Sequence, residues 1–289
     1  MGNELHHDFQ SYLLSNGNIT DKLRLIATGY EIPSDLKEQV MDNLMSIMNA
    51  NGGIPFDFNR SVPSSTKKTA ELLSLISAFQ SEYEDTVKKM IGFLVSRQKN
   101  DGGFTESLKL DPHIEDKWGG VGRDWYPVGK SITWLTGKAL EALCLVNFED
   151  SERLERARDF LLHSQYEDGN WPDFKDQNIS DPLATGNILH GLYAIGVESN
   201  NKIIVDARAA LLHHLSDSLE SDCIFDLVDV TSIGKPQTEK EKAIIQNGIE
   251  LIVSSQQEDG GWAPLGSKKS DPELSSVLLL EYKRAHNLL

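Results

Sequence analysis

Cysteine is nearly absent from this 289-residue chain, with Cys144 and Cys223 its only two. Two thiols cannot build a disulfide framework, and each lies in an apolar setting where a free cysteine packs as a small hydrophobe. Positive charge is also scarce: 28 Lys and Arg stand against 44 Asp and Glu, a formal net charge of −16. That balance argues against binding a nucleic-acid backbone or an anionic membrane surface, both of which need clustered cations. A small anionic ligand is not excluded, because a local cationic pocket can sit in an acidic protein. No stretch approaches the roughly 18 continuous apolar residues of a membrane span. Met1 to Gln10 carries acidic residues and histidines where a signal peptide has a basic segment and an apolar run, so none is expected. The expectation is a soluble cytoplasmic protein with no membrane span and no nucleic-acid partner.

What the chain has in abundance is self-similarity. Gln256-Gln257-Glu258-Asp259-Gly260-Gly261-Trp262 has relatives at Gln98-Lys99-Asn100-Asp101-Gly102-Gly103-Phe104 and Gln165-Tyr166-Glu167-Asp168-Gly169-Asn170-Trp171. A more worn copy is Met48-Asn49-Ala50-Asn51-Gly52-Gly53-Ile54. Each lies between a striped, charged helix pattern and a second pattern that is apolar on most sides, so outer and inner helices alternate. Outer helices are predicted at 34–48, 84–97, 151–165 and 239–255. Inner helices are predicted from Pro63-Ser64 and over 128–147, 181–196 and 271–288, the last two opening on Asp181-Pro182 and Asp271-Pro272. Two short helices over 4–30 form the first pair. A degenerate unit fills the long gap between Asp168 and Asp259: Asp206 to His213 matches Arg156 to His163 in register, and Ile224 to Ile233 takes the inner position. Six helical pairs result, the number that lets a ring of hairpins close. The predicted fold is all-α, an α6/α6 toroid with a blind apolar cavity, formed by residues 1–289 as one domain with an insertion at 105–127.

The repeat pattern, an aromatic and aliphatics, then Gln, then Gly-x-Trp, resembles the QW repeat of squalene–hopene cyclases and related terpene cyclases. Ala157 to Leu162 through Gln165, Gly169 and Trp171 fits it, as does Ile249 to Val253 through Gln256, Gly260 and Trp262. Protein prenyltransferase β subunits share the toroid with looser repeats. The repeat residues themselves serve the structure. Gly allows positive φ, the Gln amide satisfies helix-end groups and the Trp packs across the turn.

What the resemblance implies about chemistry is protonation of an alkene by an acidic Asp in an Asp-x-Asp-Asp-Thr-Ala motif, with aromatic rings stabilising the cations. The nearest stretch here is Leu227-Val228-Asp229-Val230-Thr231-Ser232, at the start of the inner-position helix. It keeps the middle Asp and the Thr but has apolar residues for both flanking carboxylates, with Asp226 one turn back. Asp229, Asp226 and Thr231 are therefore the candidate catalytic residues. An N-cap or solvated role is the plain alternative for Asp229. The Asp-Asp-x-x-Asp magnesium site of class I terpene synthases is absent. So is the prenyltransferase zinc set, since neither cysteine sits in an Asp-x-Cys arrangement near a histidine. No metal and no cofactor are expected.

The insertion Thr105 to Pro127 is the most unusual stretch outside the repeats, and long loops in compact domains are often functional. Trp125, Tyr126 and Trp134 are candidate substrate-binding aromatics, with core packing as the alternative. Asp124 and His113 from the insertion, and Asp181 from an inner-helix start, complete the candidate substrate contacts. The function expected is a terpenoid cyclase-like protein holding a hydrophobic isoprenoid. The rivals are a carbohydrate-active lyase or hydrolase, drawing on Asp111, His113, Arg123, Asp124 and Tyr126, and a binding or scaffold toroid without chemistry.

Overall fold

The computed structural model describes residues 4–289; Met1, Gly2 and Asn3, the start of the N-terminal stretch read above, lie outside the described residues. The helices are α1 (Phe9–Asn16), α2 (Ile19–Ala27), α3 (Leu36–Ile47), α4 (Thr66–Ile76), α5 (Glu84–Val95), α6 (Asp111–Trp118), α7 (Thr133–Leu145), α8 (Ser151–Leu162), α9 (Pro182–Ala194), α10 (Lys202–Glu220), α11 (Glu239–Ser254) and α12 (Pro272–Leu288). A two-stranded ribbon, β1 (Ile54–Pro55) with β2 (Ser64–Ser65), precedes α4. The fold is all-α. Two expected elements differ in kind. The insertion is not a bare loop but folds as α6 flanked by 3₁₀ turns, and the inner-position segment Ile224–Ile233 is a 3₁₀ helix. Asp229 therefore sits inside that segment and does not cap it.

Two compact units divide the chain, one from Leu44 to Ala210, the other comprising residues up to Asn43 and from Leu211 onward. In the 44–210 unit α7 packs against both α4 and α9. Ala139, Leu140, Leu143, Ile188, Leu189 and Leu192 are buried there, which is why these helices are apolar on nearly every side. Gly137 and Gly191 let α7 and α9 approach backbone to backbone: a Cβ on Gly191 would stand 2.4 Å from the Gly137 carbonyl oxygen. In the other unit α12 packs on α2 and on the 224–233 segment. Asp21 accepts hydrogen bonds there from Arg24 (3.2 Å) and Ser276 (2.8 Å), all three side chains being buried.

The repeated turns work by one mechanism. Gly52, Gly102, Gly169 and Gly260 have φ of 82°, 92°, 86° and 91°, and a Cβ on each would stand 2.1–2.5 Å from a backbone carbonyl of the next outer helix or its cap. Only glycine meets both demands. The glutamine amides reach the same junctions: Gln98 Nε2 donates to Gly102 O and Arg153 O, and Gln165 Nε2 to Gly169 O and Ile203 O. Gln256 Nε2 donates to Gly260 O and His7 O, and its Oε1 accepts from the His6 and His7 amides, so the last turn grips the start of the chain. Trp171 and Trp262, both fully buried, donate Nε1–H back to Leu161 O and Ile252 O, each at 2.7 Å.

A second device is not evident from the sequence. The backbone N–H of the large residue in each turn donates to a hydroxyl one turn into the inner helix: Ile54 to Thr69, Phe104 to Thr136, Trp171 to Thr185 and Trp262 to Ser275. Each hydroxyl also donates to the carbonyl four residues before it. The signal is present as a recurrent Thr or Ser at equivalent inner positions, but an isolated hydroxyl in an apolar helix ordinarily bonds only to its own backbone.

Candidate aromatic and carboxyl site

The insertion, the start of α7 and the loop before α9 meet within the 44–210 unit. Trp125 stacks on Tyr126 with centroids 5.5 Å apart, Tyr126 lies 5.0 Å from Trp134, and Trp118 stands edge-on to Trp125 at 5.0 Å. Phe56 extends the group, 5.7 Å from Trp118. Tyr126 and Trp134 are buried while Trp118 and Trp125 are half-exposed, so the cluster runs from core to surface. Its anchors are polar. Trp134 Nε1 donates to Trp125 O at 3.2 Å. The Tyr126 hydroxyl donates to Glu106. The Glu106 carboxylate also accepts from Ser65 Oγ, Thr66 N and Lys67 N at 2.7–2.9 Å, capping α4. Burial, with Glu106 beside it, pushes the Tyr126 phenol well above its usual range.

The loop before α9, tied to the Asp124 backbone and to Thr133, carries a pair of carboxyls. Asp181 caps α9 by accepting from Leu183 N at 2.8 Å, which is the helix-start role its Asp-Pro sequence implies. Asp173, 7% exposed, meets Asp181 through its own carboxyl. Burial first, and the Asp181 charge second, push Asp173 up to about 7. Gln177 clamps the loop: its Oε1 accepts from Asp173 N (2.6 Å), while Nε2 donates to Asp124 O (3.0 Å) and Asp173 Oδ2 (3.3 Å). Sequence reasoning misses Asp173, which carries no motif, because nothing local distinguishes it from a turn aspartate.

The other expected residues fall at the edge of this cluster or away from it. Asp124 meets Gln177 through its backbone and its side chain is exposed. His113 lies 6.5 Å from Phe56, at the edge of the cluster. Asp111 and Glu115 are both paired with Arg123, at 2.8 and 2.7 Å. Asp229, Asp226 and Thr231 belong to the other unit. Asp229 is buried. Asp226 accepts from Ser218 Oγ at 2.7 Å and faces His214 Nε2 at 3.6 Å. Thr231 donates both its amide and its hydroxyl to the buried Glu281. Among the described residues no group of three or more His, Cys, Asp or Glu is placed to hold a metal ion, and no helix is long and apolar enough to cross a membrane.

No family model matches the sequence. MstE from Scytonema, a type II terpene cyclase, superposes with a TM-score of 0.65 at 14% identity, covering 94% of this chain and 88% of that one. The chain has the fold of the type II terpene cyclases. A variant of MstE solved with geranylgeranyl dihydroxybenzoate as its substrate matches equally, with a TM-score of 0.64 at 15% identity over 94% of this chain and 88% of that one. Lanosterol synthase from Saccharomyces cerevisiae is 33% identical over 93 residues, a stretch that is 31% of this chain and only 11% of that protein. The cyclase fold is not confined to terpene chemistry: an α-amylase from Clostridium perfringens superposes with a TM-score of 0.62 at 10% identity, over 92% and 84% of the two chains.

Proposed function

We propose that this protein binds an isoprenoid against Trp118 and Trp125, which Tyr126 and Trp134 back from the core, and cyclises it after protonation by an aspartic acid. The observation that carries the reading is the cluster of packed aromatic rings that runs from core to surface, in a chain with the cyclase fold. Ring faces stabilise cations, and a neutral acid is the reagent that a carbon–carbon double bond requires. Two acids are candidates for the donor: Asp229, with Asp226 and Thr231 near it in sequence, and the Asp173–Asp181 pair. Because MstE takes a geranylgeranylated aromatic acid, that compound and C15 to C30 isoprenoids are the first substrates to offer. Cyclised product detected by mass spectrometry supports the reading. No turnover, together with no quenching of tryptophan fluorescence by any of them, removes it.

A carbohydrate-active reading has one observation in its favour beyond the α-amylase likeness. The 44–210 unit carries an open recess of about 530 Å³ lined by polar and aromatic groups including Asn100, Arg156, His163, Tyr166 and Lys175. Against it, the Asp111 carboxylate is bound to Arg123 and the Tyr126 hydroxyl to Glu106, which occupies the set that a sugar would need. Release of reducing sugar from starch by the unmodified protein would favour this reading over the first.

A further inference from the structure

The open recess of about 530 Å³ is framed by three segments of the 44–210 unit: the turn at Asn100 and Asp101, the second half of α8 with the residues that follow it, and the loop from Pro172 to Asp176. Each is fastened to its neighbour. Gly102 rests on α8, where a Cβ on it would stand 2.1 Å from Arg156 O. Lys175 Nζ reaches from the loop to Asp101 at 3.2 Å, and the Tyr166 hydroxyl donates to Gln177 O. The volume falls within the range of about 300–1,000 Å³ typical of small-molecule sites. No residue lining it belongs to the aromatic cluster, so what it binds is independent of the cyclase reading.

Most charges of the recess are already answered. Asp101 is paired with Lys175 and also accepts from Ser131 Oγ at 2.9 Å, and Asp159 is paired with Arg158 at 2.8 Å. Arg156 is the exception. Its helix neighbours Arg153 and Arg158 are paired with Asp150 and Asp159, whereas Arg156 makes no ion pair among the described residues. Its Nη2 stands 3.5 Å from Gln98 Oε1, beyond the usual range of about 2.7–3.2 Å, and its Nε is buried with no hydrogen-bond partner. A guanidinium is always protonated, so this is a half-buried cation that lacks acceptors. We infer that the recess is a binding site for a small hydroxylated monoanion, a sugar acid or a sugar phosphate, whose oxyanion Arg156 receives. The planar fork of arginine fits either oxyanion. The rest of the wall selects the remainder of the ligand. The exposed Asp176 carboxylate, unpaired among the described residues, opposes a second negative charge and accepts from hydroxyls. His163 Nδ1 donates to Asp159 O at 2.6 Å, which in the neutral ring leaves Nε2 to accept from another hydroxyl. The Asn100 amide can both donate and accept. Tyr166, 37% exposed, offers a ring face to the C–H groups of a sugar, its own hydroxyl being taken by Gln177 O.

The test is calorimetric titration of the full chain with glucuronate, glucose 6-phosphate, neutral glucose, acetate and inorganic phosphate. One or both of the sugar anions should bind: glucuronate alone identifies a carboxylate, and glucose 6-phosphate alone a phosphate, as the group that Arg156 receives. Glucose, acetate and inorganic phosphate each lack part of the contacts and should bind at least about 10-fold more weakly. Arg156→Gln should weaken the bound sugar anion at least about 10-fold, and Arg156→Lys, which keeps the charge without the fork, should weaken it less. Lys88→Gln, which removes an exposed cation paired with Glu84 in the same unit, should leave binding unchanged. In the unmodified protein the bound anion should slow amide exchange at 100–103 and 172–176, a reading that needs no variant to fold. No heat from either sugar anion up to about 10 mM overturns the inference. So do binding that Arg156→Gln leaves within about twofold, protection confined to other segments, and acetate or inorganic phosphate binding as tightly as the sugar anions, the mark of an adventitious ion only. Because none of the probes is an isoprenoid, failure here leaves the cyclase reading standing.

Discussion

Replacing Gln256 by Ala tests the claim that the repeat glutamine is a junction and not merely a turn residue. The Gln256 amide makes four hydrogen bonds, to Gly260 O (3.0 Å), His7 O (3.1 Å), His6 N (2.9 Å) and His7 N (3.0 Å). The Gly260 carbonyl is in a buried turn, whereas His6 and His7 are exposed and water can replace part of what they lose. Counting about 1 kcal/mol for the buried bond and about half of that for each of the other three, with a little lost side-chain burial, gives a destabilisation of about 2–3 kcal/mol. Gln165 makes only two such bonds, to Gly169 O and Ile203 O, so Gln165→Ala should cost about 1–2 kcal/mol by the same reckoning. Equilibrium urea unfolding followed by tryptophan fluorescence gives the two costs. Amide exchange adds the location: in Gln256→Ala, protection should fall in α1 and leave α8 unchanged. Equal costs for the two variants, with α1 exchange unaltered, would refute the reasoning.

Two further predictions are quantitative. Gly169 and Gly196 share a φ of 86°, but a Cβ on Gly169 would stand 2.5 Å from Asp206 O while one on Gly196 meets nothing within 4 Å. Gly196→Ala should therefore cost about 1 kcal/mol of backbone preference and Gly169→Ala at least about 2 kcal/mol more through the clash, a difference that thermal melts will resolve. Asp173 is a carboxyl whose folded pKa is raised from 3.8 to about 7, so the folded chain holds an extra proton between those values and loses stability as pH rises through them. A shift of that size is worth about 4 kcal/mol at full value, and residual solvent screening brings it to about 2–4 kcal/mol. Asp173→Asn should gain on the unmodified protein by that amount between pH 4 and pH 8 in urea titrations. A pH-independent difference would show that Asp173 ionises normally.

The helical hairpins are readable because their causes are local. A 3.6-residue apolar period, an Asp-Gly turn and an Asp-Pro start each act within a few residues, and the observed helices α4, α5, α7, α8, α9, α11 and α12 lie inside the spans those signals predict. The Gln, Gly and Trp of the repeat are also legible as structural residues. Their purpose at the junction between consecutive outer helices, and the hydroxyls of Thr69, Thr136, Thr185 and Ser275 that complete it, become visible only with the chain folded.

The site divides in the same way. Trp125, Tyr126 and Trp134 are identifiable as large amphipathic side chains in or beside an insertion, and Asp181 as a helix cap with an acid to spare. Their assembly depends on bonds between segments distant in sequence, such as Gln177 to Asp124 and Trp134 to Trp125. The sequence by itself determined the fold class and the repeat, since periodicity and turn chemistry are carried by neighbouring residues. Only the tertiary structure decided which aspartates are pushed above the usual carboxylate range: a carboxyl's acidity depends on desolvation and on the charges it meets, and burial raises both Asp173, beside Asp181, and Asp21.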